Sequence, residues 1–352
     1  MSFKLQNTVD PKEHEIIEFL KNVPPASSKE VFEGLTGGSY ATVKRILTKL
    51  KEDGLIVALG TRKATKYALS PGYAVLEPVN LETYYQRDID ERAIKKQFDF
   101  QLLREVLPTI SILSVSELTH LQTLQDKFLG NAAELSEAAF AKEMERLAID
   151  LSWKSSQIEG NTYSLLETER LIREKLTATG KTKDEATMLL NHKEAIDFIV
   201  ANPDYLNPLR ISAIEDIHRL LTKELGVDKN VRRRRVGITG TNYQPLDNEF
   251  QIKEALQDTC NLINTKSSVF EKALLALVLL SYIQPFMDGN KRTARIVSNA
   301  ILIQHQHCPI SFRTVDSVDY KKAMLLFYEQ NNLSAFKQIF MDQFEFAVNT
   351  YF

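Results

Sequence analysis

The run Ser281–Arg295, SYIQPFMDGNKRTAR, decides how this chain is read. On its N-terminal side Ala273–Leu280 is apolar on every face, which marks a helix buried all round. On its C-terminal side Ala294, Ile296, Val297, Ala300 and Ile301 recur at the spacing of a second, mostly buried helix. Between them lies a short polar loop, Asp288-Gly289-Asn290-Lys291-Arg292, which opens the second helix. The first turn of a helix exposes N–H groups without partners and a partial positive charge, so an anion binds there readily. Gly289 permits close backbone approach, and Lys291, Arg292 and Arg295 add cations suited to phosphate oxygens. Asp288, a lone carboxylate among these cations, is placed to hold a magnesium ion bridging two phosphates. The plainer alternative is a capped loop between core helices whose arginines pair with acids.

The bulk of the chain sets the frame. Its 352 residues, 43% hydrophobic, are enough for one large core and a smaller one. A net charge of -2 gives no global field toward nucleic acid or an acidic membrane, so any basic patch is local. Cys260 and Cys308 fit a reduced compartment without a disulfide framework. The opening MSFKLQNTVDPKEHE has no apolar run, and Ala273–Leu280 is too short to span a bilayer. These features predict a cytoplasmic protein with no membrane partner.

From about Pro11 to Tyr73 the pattern reads helix, helix, helix, strand, strand. Ser27 and Glu30 form a capping box, Ser39 caps a third helix carrying Val43, Ile46, Leu47 and Leu50, and Gly60–Ala64 makes a polar turn between two β-favouring runs. That order resembles a winged helix-turn-helix, assigned to residues 1–75. Tyr40, Thr42, Lys44, Arg45 and Lys49 on the third helix, with Arg62 and Lys63 in the wing turn, suit DNA. A dimerisation module, or one that contacts the larger domain, is the competing reading. Residues 76–132 read as a helical linker region and 133–352 as an all-α domain.

The loop motif resembles that of the Fic/Doc family: Phe286, Asp288, Gly289, Asn290, Arg292 and Arg295 all match. The resemblance covers roughly Ala133 to Phe340. It implies a mainly α fold, an all-helical Fic domain with a small β-flap following the α+β winged helix. It also implies a protein adenylyltransferase that moves AMP from ATP, with magnesium, to a protein hydroxyl. In that scheme Phe286 anchors the loop, Asp288 holds the metal, Gly289, Asn290, Lys291 and Arg292 line the nucleotide site, and Arg295 contacts the terminal phosphate.

The motif departs from the family at two positions. The family's catalytic histidine is replaced by Gln284, whose amide has no useful basicity near neutral pH. A pseudoenzyme, a chemistry that needs no base and an introduced substitution all account for it. Lys291, where many relatives have glycine, resembles the Doc branch and leaves phosphoryl transfer as an alternative.

Further matches frame the loop. In LSWKSSQIEGNTYSL, Ser155 and Glu159 stand at i and i+4 on a helix read from about Glu134 to Gly160. This resembles the family's inhibitory signature and implies that Glu159 pairs with Arg295. In VRRRRVGITGTNYQPLDNEFQI, Val236–Thr241 reads as an extended segment, with a turn beginning at Tyr243-Gln244-Pro245. It resembles the flap, which implies that Thr239, Gly240, Thr241 and Tyr243 align a target segment by main-chain pairing. Arg232–Arg235 reads as a solvated or acid-pairing cluster, and His192 and His218 as helix-surface or core-edge residues. His305, His307 and Cys308 have no companion ligand pair for a metal. A DNA-binding regulator that senses nucleotide without catalysis is the rival from another class. A homodimer is allowed by all of these readings.

Overall fold

The computed structural model describes residues 11–61 and 64–352. The opening ten residues, on which the reading of the N-terminus partly rests, lie outside the described residues. So do the wing-turn cations Arg62 and Lys63.

The first unit contains α1 (Pro11–Asn22), α2 (Ser28–Gly34), α3 (Tyr40–Glu52), β1 (Ile56–Leu59) and β2 (Lys66–Leu69). The Ser27/Glu30 capping box forms, and Ser39 accepts from the Thr42 N–H. β1 and β2 are antiparallel, Ile56 opposite Leu69 and Leu59 opposite Lys66. Ile16, Leu20, Val31, Val43, Leu47 and Ile56 give this unit a small core of its own.

The rest is helical. α4 (Tyr73–Leu76), α5 (Leu81–Tyr85), a π-helical turn at Leu102–Val106 and α6 (Val115–Glu134) lead into α7 (Glu137–Ile158). The stretch 76–132, expected to be a linker, is folded onto the body: Leu81, Leu102, Leu107, Ile112 and Leu121 are buried in the main core. Apolar residues recur there without clean periodicity because the segment wraps a surface, so its buried face keeps turning.

α8 (Leu165–Glu174), α9 (Lys183–Ala201), α10 (Ile211–Leu221), α11 (Glu249–Thr265), α12 (Val269–Ile283), α13 (Asn290–Gln304), α14 (Ser317–Gln330) and α15 (Ser334–Tyr351) complete the chain. As expected, α12 runs through the centre, buried without interruption from Ala273 to Ile283. α7 begins at Glu137, three residues later than expected, because α6 ends at Glu134 and Ser136 starts a new helix by accepting from the Ala139 N–H. No helix among the described residues is long and apolar enough to cross a membrane.

Candidate functional site

The loop between α12 and α13 is built from left-handed turns at both ends. α12 stops because Gln284 takes φ +51°, a conformation more often given to glycine or asparagine. α13 starts from Gly289 at φ +79°, where a Cβ would lie 3.2 Å from Thr222 Cγ2 and 3.4 Å from His218 Cδ2. Phe286, fully buried, stacks on His218 at 3.7 Å between centroids and so anchors the loop. The His218 Nε2–H donates to the Asp288 carbonyl (3.0 Å). Burial, opposed by its hydrogen bonding to the loop carbonyl, depresses the His218 pKa to about 4, so the ring is neutral near pH 7.

Asn290 is engaged through its side chain. Its side chain braces the loop, accepting from the Phe286 N–H (2.8 Å) and donating to the Phe286 carbonyl (2.8 Å) and Gln284 Oε1 (3.0 Å). Gln284 is tied in turn, its amide donating to the Ser281 carbonyl at 2.6 Å. The backbone of the first α13 turn remains available. Thr293 is the first residue whose N–H finds a helical acceptor, the Gly289 carbonyl at 2.9 Å, so the preceding N–H groups of α13 have none within the helix.

Cations converge on that turn. Arg292 is 2% exposed; one terminal nitrogen donates to Asp288 Oδ2 (3.1 Å), and the other is buried without a partner. A buried guanidinium nitrogen without a partner, carried on the first turn of a helix, suits an anion's oxygen.

Arg295 is wholly buried, and its nitrogens bond the Ser155 carbonyl (2.9 Å), Ser155 Oγ (2.6 Å), the Tyr320 hydroxyl (3.1 Å) and Glu159 Oε1 (2.5 Å). Glu159 Oε2 also lies 3.5 Å from Lys291 Nζ. Ser155 and Glu159 thus meet Arg295 from one face of α7, and Gly160 at φ +101° turns the chain away just beyond. Burial works against the Glu159 charge, but Arg295 and Lys291 outweigh it and hold the carboxyl below its usual range.

Asp288 projects outward, its side chain 66% exposed, with one oxygen engaged by Arg292. No group of three or more His, Cys, Asp or Glu among the described residues could hold a metal ion. The donor set therefore fits magnesium only as an ion carried by phosphates, with Asp288 as its single carboxylate, which is a common way for magnesium to bind.

The flap lies alongside. It is extended chain, and the turn falls at Thr239-Gly240, with Gly240 at φ +90°, not at Tyr243-Gln244-Pro245. Gln244 instead makes a parallel bridge with Gln97. Tyr243, expected to help align a target through its main chain, has its side chain buried as an anchor: it stacks on Tyr282 at 4.8 Å and donates to the Tyr282 carbonyl (3.0 Å). Thr241 accepts from the Tyr243 N–H, while Thr239 is exposed.

The basic run divides. Arg232 is 1% exposed and caps the end of α12, donating to the Gln284 (2.6 Å) and Ile283 (3.4 Å) carbonyls. Arg233 pairs with Glu249 and Arg235 with Asp247 on the surface.

His192 and His218 correct the sequence reading, since both are fully buried. His192 lacks a partner on either ring nitrogen. Burial, with Arg295 and Arg292 nearby, pushes its pKa well below the ordinary histidine value. His218 was legible in principle, because it continues the apolar face Ile214, Ile217 and Leu221 of α10. Tyr320 had no local signal, lying on α14, remote in sequence from Arg295.

The N-terminal cations are less concerted. Arg45 is exposed, the Lys44 ammonium sits 4.9 Å over the Tyr40 ring, and the Tyr40 hydroxyl bonds Ser28 (2.8 Å). Thr42 is engaged at its backbone by Ser39, and Lys49 forms an ion pair with Glu13 of α1.

Residues 208–302 match the profile of the Fic/DOC family. The chain carries a Fic domain. The matched span takes in α10, the flap, α12, the loop and most of α13, whereas α7 with Ser155 and Glu159 precedes it. The protein adenylyltransferase Fic of Nematostella vectensis is 26% identical over 238 residues, covering 66% of this chain and 53% of that one. The protein adenylyltransferase fic-1 of Caenorhabditis elegans is 26% identical over 220 residues, covering 60% and 42%. The chain thus spans about half or less of the length of these relatives. Among solved structures, Fic-1 from C. elegans superposes with a TM-score of 0.58 at 21% identity, covering 67% of this chain and 72% of that one. A Fic-domain signaling protein from Bacteroides thetaiotaomicron gives 0.58 at 17% identity, covering 66% and 95%. These likenesses establish the Fic fold well beyond the matched span.

Proposed function

We propose that this chain is a Fic-type protein adenylyltransferase scaffold, autoinhibited by Glu159 and impaired at the chemical step by Gln284, with a winged helix-turn-helix over residues 1–75. The observation that carries the proposal is Arg295: a fully buried guanidinium at an anion-ready helix start, occupied by a carboxylate delivered from another helix. The names of the related adenylyltransferases support AMP transfer as the reaction.

In that reaction an acceptor hydroxyl oxygen forms a bond to the α-phosphorus of ATP, pyrophosphate leaves, and the hydroxyl proton must pass to a base. The α13 N–H groups, Lys291 and the unpaired nitrogen of Arg292 hold the phosphates, and Arg295 would take the terminal one once Glu159 withdraws. Magnesium, when carried on the phosphates beside Asp288, supplies charge neutralisation. Gln284 reaches the loop but offers no basic nitrogen, a loss of about 100-fold to 10,000-fold in rate.

The test is the double variant Gln284→His with Glu159→Gly, incubated with ATP labelled at the α-phosphate. Label on the chain itself or on lysate proteins supports AMP transfer; no label counts against it. Transfer from γ-labelled ATP alone would reassign the chain as a Doc-like phosphotransferase.

A second reading, a DNA-binding regulator with a sensing Fic domain, is favoured by Gln284 and by the exposed Arg45 on α3. It requires salt-sensitive, sequence-selective gel shifts that disappear with Arg45→Ala plus Lys49→Ala.

A further inference from the structure

The middle of the flap is unpaired, yet its far end is held. No backbone–backbone hydrogen bond engages residues 233–242 among the described residues. Toward its C-terminal end, three separate ties fasten the flap to the segment that follows α5. The Arg92 guanidinium donates to the Gly240 carbonyl (3.0 Å), Asn242 Nδ2 donates to Asp90 Oδ1 (3.0 Å), and the Gln244 N–H donates to the Lys96 carbonyl (2.9 Å).

That segment is itself clamped to the C-terminal end of α14. Arg92 pairs at 3.1 Å with Glu329, whose side chain is fully buried, and its guanidinium lies 5.0 Å over the Tyr85 ring. The Lys95 N–H donates to the Glu329 carbonyl (2.8 Å), and its ammonium donates to Asn331 Oδ1 (2.7 Å). Gln330 adds a bond to the Ala93 carbonyl.

We propose that residues 88–97 form a strap that fixes the flap for an incoming extended peptide acceptor, and that Arg92 is its positioning residue. The proposal rests on the adenylyltransferase reading above. The strap takes the flap edge at Gln244 and the Arg232 guanidinium takes the Arg234 carbonyl (2.8 Å), which leaves the main chain of 235–239 as the free edge for strand-like pairing with the acceptor. Flexible chain would have to be ordered at each encounter, so a flap pinned at Arg232 on one side and Gly240–Gln244 on the other binds with less entropic cost. The nucleotide loop is held by other groups, His218, Asn290 and Arg232, so the strap acts on the acceptor and not on ATP.

The experiment uses the full chain with Gln284→His and Glu159→Gly, with and without Arg92→Ala. Backbone hydrogen exchange is read at Lys95 and Gln244, whose N–H groups are hydrogen-bonded at the strap, ATP–magnesium affinity by calorimetry, and transfer by self-labelling from α-labelled ATP. Loss of a charge-assisted tie predicts exchange faster by roughly tenfold and labelling slower by about the same factor, with ATP affinity changed less than about twofold. Arg92→Lys, which keeps one cationic nitrogen in place of the guanidinium fork, recovers part of both effects.

Because Arg92→Ala also leaves Glu329 buried without its partner, Asn242→Asp provides a second variant. It sets two carboxylates against each other at an exposed site and is expected to raise exchange and lower labelling in the same way. Unchanged exchange, or ATP affinity falling in step with labelling, overturns the strap. Absence of labelling in the parent double variant sinks the adenylyltransferase reading and the acceptor role together, whereas intact labelling with unaltered exchange sinks the strap alone.

Discussion

Replacing Glu159 with glycine should make the protein less stable without nucleotide and better able to bind it. Breaking a buried ion pair by removing one partner costs about 3–5 kcal/mol. Here the Glu159 side chain is 21% exposed, and Arg295 keeps the Ser155 carbonyl and hydroxyl and the Tyr320 hydroxyl. The expected loss is therefore roughly 2–3 kcal/mol. Backbone strain adds nothing, since residue 159 is the C-cap and lies outside the helical repeat. With the carboxylate gone, Arg295 and Lys291 are free for a phosphate oxygen. One charge-assisted hydrogen bond is worth about 1.5–3 kcal/mol, or roughly tenfold to a hundredfold in Kd. Thermal melts with and without ATP–magnesium, paired with calorimetry, read both quantities. At ligand a hundredfold above Kd the variant should regain about 2.7 kcal/mol. A variant as stable as the parent, with unaltered or weaker ATP binding, would refute the idea that this carboxylate occupies the phosphate's place.

Other outcomes follow from the same geometry. His218 has a folded-state pKa of about 4 and, once unfolded, an ordinary one near 6.5, so the unfolded chain binds the proton first as pH falls. Its contribution is fully present above pH 6.5 and is lost toward pH 4. Urea melts at pH 7 and 4.5 should differ by roughly 2–3 kcal/mol from this residue, and His218→Phe should flatten that slope. Gly289→Ala forces a side chain into φ +79° and against Thr222, costing about 1–2 kcal/mol in melts; a parent-like melting temperature would contradict the left-handed start of α13. Arg232→Lys should not restore the stability lost in Arg232→Ala, because a single ammonium cannot span the Gln284 and Ile283 carbonyls as the guanidinium does; equal melting of Lys and Arg forms would argue against the cap.

Much of the site could be read along the chain because its parts are local. Asp288 to Arg295 occupy one loop and the first turns of one helix, and helical spacing places Ser155 and Glu159 on one face. The capping residues Ser27 and Ser39 act within three residues of themselves, so the order of elements in the first unit was legible too. The flap turn was misplaced because Pro245 signals a turn more loudly than Gly240, and only the bridge from Gln97 shows Gln244 held extended.

Local pattern alone thus determined an anion-ready helix start, a carboxylate presented one helical turn from Ser155, and the absence of a basic side chain at position 284. Tertiary structure decided which groups meet: that Arg295 is shared with Glu159 and Tyr320, that the Asn290 side chain braces the loop, and that Arg92 reaches Gly240. The division has a physical cause. Helical periodicity and capping are set by neighbours within a turn or two, whereas burial and the partners of a long cation depend on segments that chain connectivity leaves far apart until the core closes.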